Sequence, residues 1–267
     1  MAHDTPVIIV FDSGLGGVTI LRKILQRGIN CDLIYVADNL FVPYGSKSKD
    51  FIERRVHAIF LELNKKYFIH GAVIACNTAT ACASNKLREN FNFPIICMEP
   101  GIKPAIAMTI SKNIGILATE GTIKSSRFNA LIDRFVSDEY HLTIIPGNGL
   151  VELIEQIPKS KNALIQKLKP IMAKFIEDDI DVLVLGCTHY PIIVSLIKNL
   201  IPAHVKILDT SDAVVDVLFQ RINFEKSENF STKINLMNSR EDKNYSKKLE
   251  QLIEVKQINP VDFIKIK

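Results

Sequence analysis

Two short stretches carry the side chains best suited to moving protons: Cys76-Asn77-Thr78 and Cys187-Thr188-His189. Each thiol follows an apolar run that reads as a buried strand, Gly71–Ala75 and Asp181–Gly186. Near a helix start and beside hydroxyl, amide or imidazole groups, a thiolate can be favoured by donors and dipoles. An isolated cysteine reads more simply as a small buried hydrophobe, but two in matching settings, 111 residues apart, point to a shared task. His189 could tune Cys187 or relay a proton, or serve only as a hydrogen-bonded structural group. Asp12-Ser13-Gly14-Leu15-Gly16-Gly17 follows an apolar run and opens a helix over Val18–Gln26. Its glycines allow backbone N–H groups to approach an anion at the helix start. It lacks the third glycine of a dinucleotide fingerprint, since Thr19 stands there, and no P-loop lysine follows. Pro43-Tyr44-Gly45-Ser46 is a turn signal.

The elements that must position these groups alternate between two periods. Strands are expected at Val7–Phe11, Leu33–Ala37, Ala72–Ala75, Ile95–Met98, Ile114–Ala118, Leu142–Ile145, Val182–Leu185, Lys206–Leu208 and Lys233–Leu236. Helical spacing of apolar residues marks Phe51–His70, Ala163–Ile176 and Asp212–Ile222. The alternation predicts an α/β protein with mostly parallel strands and crossover helices. Ligands in such sheets sit at the carboxyl ends of the strands, where both cysteines fall. Two similar, pseudo-twofold-related lobes are therefore expected, with the active site in the cleft between them. Residues 1–98 plus 209–267 would form the first lobe, carrying Asp12 and Cys76, and residues 99–208 the second, carrying Cys187 and His189.

Composition narrows the field. The 267 residues are 47% hydrophobic, enough for a sizeable core and too much for a disordered chain. Net charge is +4, and from Arg221 onward ten basic residues face seven acidic ones, a balance that suits a solvated, helix-rich surface. No nucleic-acid partner is expected. No apolar run approaches the ~18 residues of a membrane span, and Met1-Ala2-His3-Asp4-Thr5-Pro6 has no basic leader pattern, so a cytoplasmic protein is expected. Five cysteines are an odd number, dilute for a disulfide scaffold. Cys31, Cys82 and Cys97 lack polar neighbours and read as packing residues. Without any C-x-x-C or zinc-type spacing, no metal is expected.

Taken together, the chemistry-bearing segments resemble the glutamate racemases of the cofactor-independent aspartate/glutamate racemase superfamily. The matching blocks are Val10–Gly17, Pro43–Gly45, Ala75–Ala79, Glu99–Pro104, Leu117–Thr122, Gly186–Pro191 and Leu208–Ser211. They cover about the first 210 residues, and the C-terminal segment carries nothing diagnostic. The resemblance implies racemisation of glutamate by two bases, with no cofactor. One cysteine thiolate removes the α-proton and the other cysteine, as thiol, returns a proton to the opposite face. It assigns Cys76 to the D-enantiomer and Cys187 to the L-enantiomer, with Asp12 and His189 assisting the two thiols. Asp12, Ser13, Tyr44, Gly45, Asn77, Thr78, Thr188 and His189 match the positions that hold substrate. The product would supply D-glutamate for peptidoglycan, and a homodimer is one assembly the resemblance implies. The residues agree on the geometry, since inversion at a tetrahedral carbon needs acid and base on opposite sides.

One block departs from the family. Many relatives have a Cys-Pro and a Val-Pro-Leu-Val-Glu run where this chain reads Pro146-Gly147-Asn148-Gly149-Leu150-Val151-Glu152-Leu153-Ile154-Glu155. Glu155 lies closest to the family's auxiliary glutamate and Glu152 competes, so neither joins the expected site. Other readings stay open: a racemase of aspartate or a hydantoin, a non-catalytic small-anion binding module, or a hydrolase with Cys187 as nucleophile. The duplicated cysteine argues against the last, which needs only one nucleophile.

Overall fold

The computed structural model describes residues 5–222, 224, 232–240, 242, 244–254 and 258–263. The N-terminal tetrapeptide lies outside these residues, as do Lys226, Lys243, Lys256, Lys265 and Lys267, half of the basic residues behind the C-terminal charge excess. Backbone contacts divide the chain into two compact units, Met1–Met98 with Ser211–Lys267, and Glu99–Thr210.

The first unit holds a sheet built from β1 (Val7–Asp12), β2 (Asp32–Ala37), β3 (Gly71–Ile74), β4 (Ile95–Cys97), and, later in the chain, β9 (Lys233–Asn238) and β10 (Asn259–Pro260). Its order is β10-β9-β2-β1-β3-β4 and every pairing is parallel. Strand alternation sends Ile9, Phe11, Ile34 and Val36 to one face, where they meet Val56, Phe60 and Leu63 of the helix Lys49–Lys66 and Leu87 of the helix Asn77–Asn90. Tyr35 points to the opposite face, toward the start of the helix Val18–Gln26: a Cβ at Gly17 would lie 2.7 Å from its ring. That helix packs on Ser211–Arg221 and Tyr245–Ile253, so both faces of the sheet are covered.

The second unit repeats the plan with β5 (Asn113–Ala118), β6 (His141–Pro146), β7 (Val182–Gly186) and β8 (Lys206–Leu208), in the order β6-β5-β7-β8, again all parallel. The order β6-β5-β7-β8 matches β2-β1-β3-β4 strand for strand. In each unit the chain leaves the first strand to one side and returns on the other, so a topological switch point opens between β1 and β3, and between β5 and β7.

All nine expected strands are present, Lys206–Leu208 with the expected bounds and the other eight within two residues of theirs at each end. The tenth, β10, was not expected, because two residues carry no periodicity and Pro260 is tolerated only at a sheet edge. The helix expected over Phe51–His70 instead ends at Lys66. The chain turns extended at Tyr67, and His70 is tied to the neighbouring strand: its amide donates to the Val7 carbonyl, and its Nδ1 accepts from the Val7 amide at 3.0 Å. No helix among the described residues is long and apolar enough to cross a membrane.

Asp181, immediately before β7, ties down the turn leading into β5. Its carboxylate accepts from the Thr109 hydroxyl at 2.5 Å and from the Ile110 and Ser111 amides at 2.5 and 2.9 Å. Burial pushes this carboxyl up, but those donors outweigh it and bring it down to about 2. A carboxyl depressed in the folded state stabilises the fold above its unfolded value and loses that contribution as pH falls through the folded one. Asp181→Asn is therefore expected to cost about 1–2 kcal/mol near neutral pH after allowance for solvent screening. The gap from wild type should close as pH drops from about 4 to about 2, measured by urea denaturation across that range.

Candidate active site

The first unit gathers its polar residues at the carboxyl end of β1 and β3. Asp12 ends β1 fully buried, and its Oδ1 accepts from the Gly14 amide at 2.8 Å, closing a tight turn. The Tyr35 hydroxyl donates to the Gly14 carbonyl at 2.5 Å and pins the other side of that turn. Gly17 is required by this close approach, because a Cβ would also come within 3.0 Å of Asp12.

Two residues beyond β3, Cys76 takes the N-cap position of the helix Asn77–Asn90, with its sulfur accepting from the Ala79 amide at 3.4 Å. Backbone donors and the helix N-terminus thus face the sulfur, an arrangement that suits negative charge. The pairing of Phe11 with Ile74 sets Ser13 across from Cys76, and Ser13 Oγ lies 3.7 Å from its Sγ. Beside them the buried Asn77 has a side-chain nitrogen, Nδ2, with no hydrogen-bond partner among the described residues. An unsatisfied buried donor is costly, and an oxygen acceptor arriving there would relieve it.

The turn Tyr44–Ser46 follows β2 and belongs to the same cluster, Tyr44 and Cys76 packing on one core. The Tyr44 hydroxyl donates to Asp38 Oδ2 at 2.7 Å. Burial first, and Asp38 second, hold this phenol well above its ordinary range, so it keeps its proton. Asp12, Ser13, Tyr44, Gly45, Cys76, Asn77 and Thr78 are thus brought to one edge of one sheet.

The second unit supplies the other set. Cys187 follows directly on β7, and Cys187, Thr188 and His189 are all buried. His189 Nδ1 stands 4.0 Å from Cys187 Sγ, a long sulfur contact, while Nε2 lies 2.8 Å from Glu155 Oε1. A carboxylate only accepts, so Nε2 carries the hydrogen of that bond, and Nδ1 is the ring nitrogen that faces the thiol. The pairing of Ala118 with Gly186 sets Thr119 across from Cys187, the same place relative to the thiol that Ser13 holds in the first unit. Thr119 was not singled out from the chain, because its role depends on register between strands far apart in sequence.

The local fold places Glu152 and Glu155 differently. Gly149 adopts φ +77°, a left-handed conformation that starts the short helix Leu150–Ile154. That helix turns Glu155 inward to His189 and leaves Glu152 exposed. Gly147 has its own reason: a Cβ there would lie 2.2 Å from the Tyr190 hydroxyl, which donates to the Gly147 carbonyl at 3.4 Å.

The remaining thiols differ. Burial, aided by Asp32, pushes Cys31 up to about 12, and burial also raises Cys82, so both stay protonated near neutral pH. All five cysteines are free, and among the described residues no group of three His, Cys, Asp or Glu could hold a metal ion.

Comparison with known proteins adds the decisive observation. Residues 19–218 match the model of the Asp/Glu/Hydantoin racemase family. The chain belongs to that family. It is 45% identical over 221 residues to the glutamate racemase of Pseudomonas aeruginosa strain PAO1, covering 80% of each protein. Among solved structures, Escherichia coli glutamate racemase, in complex with L-glutamate and the activator UDP-MurNAc-Ala, matches with a TM-score of 0.85 and 29% identity, over 98% of this chain and 99% of that one. The Bacillus anthracis isoform RacE1 matches with the same TM-score at 26% identity, over 99% of each chain.

In a racemase of this family the hydrogen bond between Glu155 and His189 should matter and the Glu152 carboxylate should not. Glu155→Gln, which removes the charge that orients the imidazole, is expected to slow racemisation by about tenfold or more. Glu152→Gln should stay within about twofold of wild type. Initial rates by circular dichroism, in both directions, measure the difference.

Proposed function

We propose that this chain interconverts L-glutamate and D-glutamate by proton transfer between Cα and two cysteines, Cys76 and Cys187, without a cofactor. The observation that carries the reading is the matched placement of the two thiols. Each is buried, stands at the carboxyl end of the strand beside a switch point, and has a hydroxyl residue across from it. The relatives named glutamate racemase support the choice of glutamate over aspartate or a hydantoin.

The chemistry follows from the protonation states. With L-glutamate bound, Cys187 as thiolate takes the α-proton and becomes the thiol. The electron pair left on Cα then takes a proton from the Cys76 thiol on the opposite face, leaving Cys76 as thiolate and D-glutamate as product. The reverse reaction starts from the form this leaves, so the resting protein is a mixture of two states, each competent for one enantiomer. No imine delocalises the carbanion, so donors at the α-carboxylate must stabilise the developing charge. The unpaired Asn77 Nδ2, with Ser13, Thr78 and Thr188, supplies donors of that kind. Asp12 and His189 assist the thiols beside them, and Tyr44 and Gly45 hold the far end of the substrate. D-glutamate is a building block of bacterial peptidoglycan, and a homodimer is the assembly we expect.

In D2O, wild-type protein given either enantiomer should yield the opposite one with deuterium at Cα. Cys76→Ala and Cys187→Ala should each lower racemisation by about a thousandfold or more. Either mutant racemising at the wild-type rate would sink the two-base mechanism. Binding of glutamate by the wild type with no exchange at Cα would instead favour the binding-module reading.

A further inference from the structure

Asp38 is fully buried one residue beyond β2, and a buried carboxylate is tolerated only when its charge and lone pairs are matched. Arg55, from the helix Lys49–Lys66, matches it with two bonds, Nε to Oδ2 at 2.9 Å and Nη2 to Oδ1 at 2.8 Å. Such a forked pair fixes the orientation of both partners as well as their charge. The remaining capacity of Oδ2 is taken by the Tyr44 hydroxyl at 2.7 Å. The Asp38 amide donates to the Asp12 carbonyl at 3.0 Å, so the same residue is anchored to the end of β1.

The guanidinium is covered by aromatic rings. The Phe41 ring centroid lies 4.7 Å from it and that of Phe263 lies 5.7 Å away. Phe263 follows β10 near the end of the chain, where the sequence carries no motif. A cation beneath two rings is held more firmly and is shielded from water.

We propose that Asp38 and Arg55 are positioning residues for substrate: they orient the Tyr44-Gly45 turn against Asp12, and the C-terminal segment secures them through Phe263. This rests on the glutamate reading above, in which Tyr44 and Gly45 hold the far end of the substrate. The Tyr44 hydroxyl is then spent on Asp38, so the turn serves substrate through its placement. Loss of the pair loosens the turn and weakens binding more than it slows proton transfer.

Steady-state racemisation and calorimetric glutamate Kd are measured for wild type, Asp38→Asn, Arg55→Lys, Tyr44→Phe, Phe263→Ala and the double variant Asp38→Asn with Tyr44→Phe, with far-UV circular dichroism to confirm folding. Asp38→Asn and Arg55→Lys should raise KM and Kd about fivefold or more while kcat falls less than about threefold. Phe263→Ala should raise KM by about twofold, and it keeps the test available if Asp38→Asn does not fold. In the double variant the two effects on KM should not multiply, because both changes act on the same Asp38–Tyr44 contact. Unchanged KM and Kd with only a lower melting temperature would overturn the proposal, as would effects of Asp38→Asn and Tyr44→Phe that multiply. A wild type that bound glutamate without racemising it would overturn the function proposed above, and the Kd shifts would still decide this one.

Discussion

The arrangement rests on one constraint of parallel sheets: where strand order reverses, the loops leaving two neighbouring strands run apart and expose the carboxyl ends between them. Both units reverse at the equivalent place, between β1 and β3 and between β5 and β7. A residue just past β3 or β7 therefore has its backbone held by the sheet while its side chain stands at an edge the crossover helices do not fill. Cys76 and Cys187 occupy those places. In each unit polar groups lie beside the thiol: Ser13 across the pairing and Asn77 and Thr78 in the first helical turn for Cys76, and Thr119 across the pairing and Thr188 and His189 in the following turn for Cys187.

The two thiols share a position but not a neighbourhood. Cys76 caps a helix of fourteen residues and faces backbone donors. Cys187 precedes only a short 3-10 turn, Tyr190–Ile193, and faces an imidazole held by Glu155. One sulfur is thus served by fixed dipoles and the other by a group that can itself accept a proton. The proton transfer proposed between the two thiols does not require identical surroundings, only that neither protonation state be trapped. The shared strand order and the divergent surroundings together are what a duplicated unit with specialised halves would show.

The departure at Pro146–Glu155 has a physical account. Gly149 supplies the positive φ that starts a helix, and Gly147 leaves room for the Tyr190 hydroxyl beneath it. The segment then delivers Glu155 to His189, which places a carboxylate at the imidazole. Spacing along the chain could not separate Glu152 from Glu155, because both lie on one short helical segment and only its rotation sets which of them faces His189.

The chain itself determined the alternation of strands and helices, the pair of cysteines at strand ends, the polar residues following them and the segments that resemble glutamate racemases. Those are local properties: apolar periodicity, turn chemistry and residue type are written within windows of a few to about twenty residues. Tertiary structure alone decided which groups meet. Ser13 reaches Cys76 and Glu155 reaches His189 across 63 and 34 residues of chain. Asp38 finds Arg55 and Tyr44, and Phe263 returns to Arg55 from a segment with no signal of its own. Such contacts depend on strand register, crossover direction and helix rotation, which arise when distant apolar faces are buried together, and no window of sequence contains them.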